Sequence, residues 1–179
     1  MFLGYTKADP DYSHDVSCGP QSIQDWIEAL PEPAHVQELW IRDAGDIDLA
    51  PLAALPRLRI LYVYNADDVT GVEALRSCPL EQVTISAREV DLSGLDGHPT
   101  LRILDASASQ VTDVGAVTRL PALRHLTLET RQWARIRDDQ LPPLATATLT
   151  GVSSLGAACD WARRLMPTMP APWRYSAAR

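Results

Sequence analysis

Lysine, asparagine and phenylalanine each occur once in the 179 residues, as Lys7, Asn65 and Phe2, while Ala, Arg, Asp, Leu and Pro abound. That usage resembles GC-rich coding, as in a bacterium. Cysteine is scarce: Cys18, Cys78 and Cys159 are odd in number, far apart, and form neither a CxxC nor a metal-type spacing. The sequence thus offers no disulfide framework, and reduced thiols are expected. No apolar run approaches the roughly 18 residues of a membrane span. The start, MFLGYTKADPDYSHD, turns acidic before a secretory signal could develop. A cytoplasmic protein with no membrane partner is the expectation. The formal charge is −7, and no stretch clusters Lys and Arg as a phosphate backbone requires, so no nucleic-acid partner is expected. GxSxG, HExxH, P-loop and GxGxxG motifs are all missing. No cofactor or metal is expected, and the chain does not read as an enzyme.

What is present is a repeat. The segments VQELWI from Val36, LRILYV from Leu58, LEQVTI from Leu80, LRILDA from Leu101, LRHLTL from Leu123 and LATATL from Leu144 fall in register. Their starts are spaced by 22, 22, 21, 22 and 21 residues. Within each, the first, fourth and sixth positions are apolar. Alternation at the fourth to sixth positions is strand-like, with side chains going to opposite faces. Strands recurring in one direction must be parallel, each with a crossover behind the sheet. The crossovers carry their own apolar residues, such as Leu49, Leu52 and Leu55, then Val69, Val72 and Leu75. Pro51, Pro56, Gly71, Pro79, Gly94 and Pro121 favour turns or short 3₁₀ pieces there. No unit can bury its apolar residues alone, so neighbours must stack.

The LxxLxL register of residues 36–152 resembles the leucine-rich repeat family, in its short, internalin-like class. The resemblance implies an α/β solenoid: a right-handed coil with a curved parallel β-sheet of about six strands, short 3₁₀ or turn crossovers and helical end caps. One departure matters. The family usually carries Asn or Cys at the ninth position, where this chain has Ala44, Ala66, Arg88, Ser109 and Arg131. Its turn backbone must be satisfied by other means, such as water. At the second position, Glu81 falls between Arg59 and Arg102, which reads as a charge ladder that helps fix register or, less simply, as a ligand site.

Residues 1–35 read as an N-terminal arm and capping helix, 36–152 as six repeats, and 153–179 as a C-terminal capping helix and tail. In the first cap, Ile23, Trp26, Ile27 and Leu30 share a helical face, opened by Ser22 and stopped by Pro31 and Pro33. In the second, Leu155, Ala158, Cys159, Ala162 and Leu165 align before Pro167. Residues 168–179 show no period. The fifth crossover, ETRQWARIRDDQLPP, keeps Trp133, Ile136 and Leu141 inward and crowds Arg131, Arg135, Arg137, Asp138 and Asp139 outside, as a solvated loop or a partner-contacting ridge. His35 and His98 fall at strand-entry turns and are expected to be exposed.

Two groups of residues carry candidate chemistry. Asp9, Asp11, His14, Asp15 and Cys18 could hold a metal or a Cys–His nucleophile, or be the acidic turns of an irregular arm. The outward positions of the strands, on the face expected to be concave, bring Trp40, Arg42, Ile60, Tyr62 and Tyr64 toward one end. Thr84, Asp105, His125 and Glu129 lie on the more polar remainder. Tyr and Trp are frequent binding anchors, which makes these nine residues the expected partner-binding site. The same aromatics also suit strands by propensity or could be covered by the arm. The expected function is a non-catalytic protein–protein interaction module whose partner is a protein, a basic one if the acidic surface matters. The family resemblance implies an adaptor or regulator, and analogy adds an immunity-type inhibitor. The alternatives are an enzyme or small-ligand protein using Asp105, His125 and Glu129 or the His14/Cys18 arm, and a structural subunit of a larger assembly.

Overall fold

The chain is described by a computed structural model covering residues 2–7, 13–16, 22–165 and 174–177, with side chains at 22–137 and 139–165. It begins with β1 (Phe2–Lys7), β2 (Ser13–Val16) and α1 (Ile23–Ala29). The repeats supply β3 (Val36–Arg42), β4 (Ile47–Asp48), β5 (Ile60–Thr70), β6 (Gln82–Val90), β7 (Ile103–Asp105), β8 (His125–Glu129) and β9 (Thr146–Thr150). The short helix α2 (Thr130–Trp133) follows β8; α3 (Leu155–Leu165) and β10 (Arg174–Ala177) come after β9. All pair into one open sheet in the order β10-β9-β8-β7-β6-β5-β3-β1-β2, with β4 beside β5. From β3 to β10, the seven strands on this path are parallel, and short helices and 3₁₀ turns join them in an α/β arrangement.

Register follows from the apolar pattern. Leu39, Leu61, Val83, Leu104, Leu126 and Ala147, the fourth positions of the six repeats, are paired strand to strand. None is more than 1% exposed. A one-residue slip would turn all of them to solvent. The crossovers close the core from the other side as 3₁₀ segments, Ala50–Ala54, Val72–Ser77, Leu92–Leu95 and Val114–Arg119. They pack so closely that a Cβ on Gly94 would stand 2.6 Å from the Glu73 backbone nitrogen. On the surface, Glu81 takes a bidentate bond from Arg59, at 3.0 and 2.9 Å. That bond, with the charge of Arg102 adding to it, holds the Glu81 carboxyl below its ordinary pKa.

Side-chain bonds and direct backbone bonds satisfy the turns that lack an asparagine ladder. The Ser109 hydroxyl donates to the Ile85 carbonyl at 2.8 Å and accepts the Ala87 N–H at 3.0 Å. One repeat on, the Gln132 amide donates to the carbonyls of Ala106 and Ser109, at 2.9 and 2.8 Å, and accepts the Glu129 N–H at 2.6 Å. Both residues are buried. In the earlier repeats the small Ala44 and Ala66 let the backbone bond directly, Asp43 N–H to Tyr64 and Asp67 N–H to Gly45.

The ends differ from the sequence expectation. The N-terminal helix is as expected, with a Ser22–Asp25 capping box and Ile23, Trp26 and Ile27 buried. The arm before it is no irregular segment: β1 and β2 form an antiparallel hairpin that extends the sheet beside β3. In α3 the inward face is Ala158, Trp161, Ala162 and Leu165, while Leu155 is 79% exposed and Cys159 is also exposed. The larger Trp161 wins that face, its ring meeting Trp133 edge-on at 5.5 Å. The aperiodic tail contains β10, parallel to β9, so α3 joins two strands. Met166, Met169 and Trp173 lie outside the described residues, as does the Tyr175 side chain. In the fifth crossover Trp133 and Ile136 are buried and Leu141 packs partly against the core, as the pattern predicts.

His98 is also corrected, being 1% exposed. Its Nε2–H donates to the Leu75 carbonyl at 3.2 Å, and Nδ1 faces the Thr100 N–H at 3.4 Å. The turn that carries it is packed against the preceding crossover, which single-sequence spacing does not reveal.

Two predictions follow from these buried polar groups. Gln132→Leu should cost about 2 kcal/mol in urea unfolding, because it takes the side-chain partner from the Ser109 carbonyl and the Glu129 N–H and leaves the Ala106 carbonyl with the Ser109 N–H alone. Burial lowers the His98 pKa below its ordinary 6.5. The folded protein therefore holds the neutral ring while the unfolded chain takes up a proton. Its contribution to stability is complete above that ordinary value and is lost as pH falls through the lowered one. Urea midpoints followed against pH should decline before the carboxylate range near about 4, and His98→Gln should flatten that early decline.

Candidate functional site

Side chains of paired residues on neighbouring strands share a face. The face away from the core therefore reads as rows. One runs Trp40, Tyr62, Thr84, Asp105, Thr127 and Thr148 across β3 to β9; a second runs Glu38, Ile60, Gln82, Ile103, His125 and Thr146. A third begins with the pair Arg42 and Tyr64 and ends with Glu129 and Thr150. All nine expected site residues lie on this face.

Only the aromatic end is brought into one contact group. Trp40 and Tyr62 stack with ring centroids 6.0 Å apart and planes 4° from parallel. Tyr62 and Tyr64, on the same strand, stack at 5.9 Å and 10°. The Arg42 guanidinium sits 5.6 Å over the Tyr64 ring, a cation–π contact. Gln82, beside Tyr62, donates from Nε2 to its hydroxyl at 3.1 Å. Trp40, Ile60, Tyr62 and Tyr64 are half-buried, so the rings present surface while their flanks are held. Burial pushes the Tyr62 phenol above its ordinary pKa of 10.0, and the charge of Glu38 adds to the shift.

The polar remainder is dispersed. Asp105, His125 and Glu129 stand in three different rows. The Asp105 carboxylate accepts the Ser107 N–H at 3.0 Å and its hydroxyl at 2.8 Å, a local turn bond. Glu129 is the N-cap of α2, its side chain accepting a backbone N–H of that helix. Thr84 lies in the row between Tyr62 and Asp105. The Asp9, Asp11 and Cys18 calls, and the side chains of His14 and Asp15, fall outside the described residues. Among the described residues no group of three His, Cys, Asp or Glu could hold a metal ion, and no helix is long and apolar enough to cross a membrane.

Sequence reasoning passed over one hollow. A groove of about 410 Å³ opens where the ends of β5 and β6 meet their crossovers, with Asp68, Glu73, Arg76, Glu89 and Asp91 on its walls. Part of this lining is structural: Arg76 donates to the Ser93 carbonyl at 3.1 Å, and Asp91 accepts the Ser93 N–H and hydroxyl, both at 2.9 Å. Its residues come from three repeats, and the one signal in the sequence was acidic residues recurring late in successive repeats, as at Asp68 and Glu89.

The chain matches no family model, no curated protein and no solved structure. What the site can do rests on its own geometry. One measurement probes that geometry directly. Replacing Glu38 by Gln removes a neighbouring negative charge, so the Tyr62 phenol should ionise at lower pH than in the parent. An ultraviolet pH titration against a Tyr62→Phe control would show it.

Proposed function

We propose that this chain is a leucine-rich-repeat solenoid that binds a partner protein on the concave, outer face of its sheet and performs no chemistry of its own. The observation that carries the reading is the stack of Trp40, Tyr62 and Tyr64, half-exposed and held on rigid paired strands. Large apolar-aromatic surface in such a setting binds well because it buries area at little entropic cost. The repeat period and the in-register apolar column support the solenoid. The scatter of Asp105, His125 and Glu129 over three rows supports a binding role over a catalytic one, since acid–base work needs groups within hydrogen-bond reach. A formal charge of −7 favours a basic partner. An adaptor, a regulator or an immunity-type inhibitor of a basic toxin enzyme, acting in the cytoplasm, fits this description.

Affinity capture from the source cell tests the reading, with the captured protein identified and then titrated against purified chain. The triple variant Trp40→Ala/Tyr62→Ala/Tyr64→Ala should weaken that binding about a hundredfold, as loss of clustered aromatic anchors does. A variant that stays folded and binds as the parent does would reject the face.

A further inference from the structure

The outer face carries two charges of opposite sign that are held in place but not neutralised. Arg42 is exposed, with its guanidinium 5.6 Å over the Tyr64 ring. Among the described residues no hydrogen bond or ion pair engages its nitrogens. On β7 the half-buried Asp105 takes both Ser107 bonds on Oδ1, at 3.0 and 2.8 Å. Its Oδ2 has no partner among the described residues. The two groups are too far apart to pair with each other. Over Tyr64 the guanidinium stands above β5, two strands and one row from Asp105, a separation of about 12 Å. Tyr62 and Thr84 lie in the Asp105 row on the two strands between.

We propose that this face takes an extended segment of the partner protein with an acidic, an apolar and a basic residue at alternate positions. The acid meets Arg42, the apolar side chain lies over Tyr62 and Thr84, and the base meets Asp105. This rests on the partner-binding reading and names the chemistry of what is bound.

The spacing selects an extended segment. Alternate side chains of such a chain share a face, and its first and fifth residues stand about 13 Å apart, which matches the separation of the two charges. Both charges are pre-set for a partner. Stacking on Tyr64 fixes the plane of the Arg42 guanidinium and leaves its edge donors for a carboxylate, which accepts them in pairs. The Ser107 bonds fix the Asp105 carboxylate in the same way. Groups ordered beforehand lose less freedom on binding. A second copy of the chain fits less well. Six strands and three rows cover about 350 Å², so two such faces would bury about 700 Å², short of the roughly 1,200 Å² of a stable interface.

The test titrates the labelled full chain with end-capped peptides at about 0.15 M salt, where distant charges are screened, and follows its amide signals by NMR. The peptides are Glu-Gly-Leu-Gly-Arg, Arg-Gly-Leu-Gly-Arg and Glu-Gly-Leu-Gly-Glu. The mixed peptide should bind about fivefold more tightly than either other, because each of them turns one attraction into a repulsion. Arg42→Glu makes both poles acidic and should make the Arg-Arg peptide the tightest. Asp105→Asn removes one charge and should bring the Glu-Glu peptide level with the mixed one. An Arg-Arg peptide that binds the parent best, as the formal charge of −7 alone would favour, would overturn the inference. Equal affinities, no binding, or an order that Arg42→Glu leaves unchanged would do the same. So would concentration-dependent shifts of the same signals without peptide, which would mean that a second copy occupies the face. If the mixed peptide shows no preference while the triple aromatic variant still loses the captured partner, the binding face stands and only the paired charges are withdrawn.

Discussion

A single repeat of this chain has apolar residues on its strand and on its crossover but nothing of its own to cover them sideways. Leu61 and Leu75 are buried only because the units on either side close over them. That dependence is strong because burial of a leucine side chain is worth on the order of 2 kcal/mol and no local structure substitutes for it. It forces each strand to sit in register with the last, since a slip by one residue would exchange core and solvent faces along the whole strand. The aligned column from Leu39 to Ala147 is the physical trace of this constraint.

Stacking parallel strands this tightly creates a second demand, for hydrogen bonds in the buried turns. The chain meets it in two ways. Where alanine occupies the turn, as at Ala44 and Ala66, successive backbones approach and bond to each other. Later in the chain Ser109 and Gln132 reach into the neighbouring turn instead. The lone asparagine, Asn65, has left-handed φ and bonds Asp43 of the preceding repeat, itself left-handed. Its role is local turn geometry of the kind Asn tolerates, with no ladder built from it.

The same register that buries one set of side chains aligns the other set on the opposite face. That is why Trp40 and Tyr62, 22 residues apart in sequence, stand as stacked neighbours. It is equally why Asp105, His125 and Glu129, which look like a reactive trio in a list of residues, are held in separate rows. Both facts follow from counting positions within the repeat. The Arg42 contact with Tyr64 and the bond from Gln82 to Tyr62 needed side-chain geometry, because long flexible side chains choose among several neighbours within reach.

The amino-acid sequence by itself determined the period, the parallel strands, the inward leucines and the identity of the outward face, because apolar alternation at a fixed spacing leaves one way to bury the core. It also determined α1, through the local Ser22 cap and the apolar face behind it. Tertiary structure alone decided what depends on contacts between distant segments. The hairpin of β1 and β2 forms against the edge of β3, and β10 against β9, in stretches with no repeat to announce them. Burial of His98 and the turn bonds of Gln132 are likewise set by neighbouring repeats. The inward turn of Trp161 in place of Leu155 was decided by Trp133, whose ring gives the larger side chain a surface to pack on.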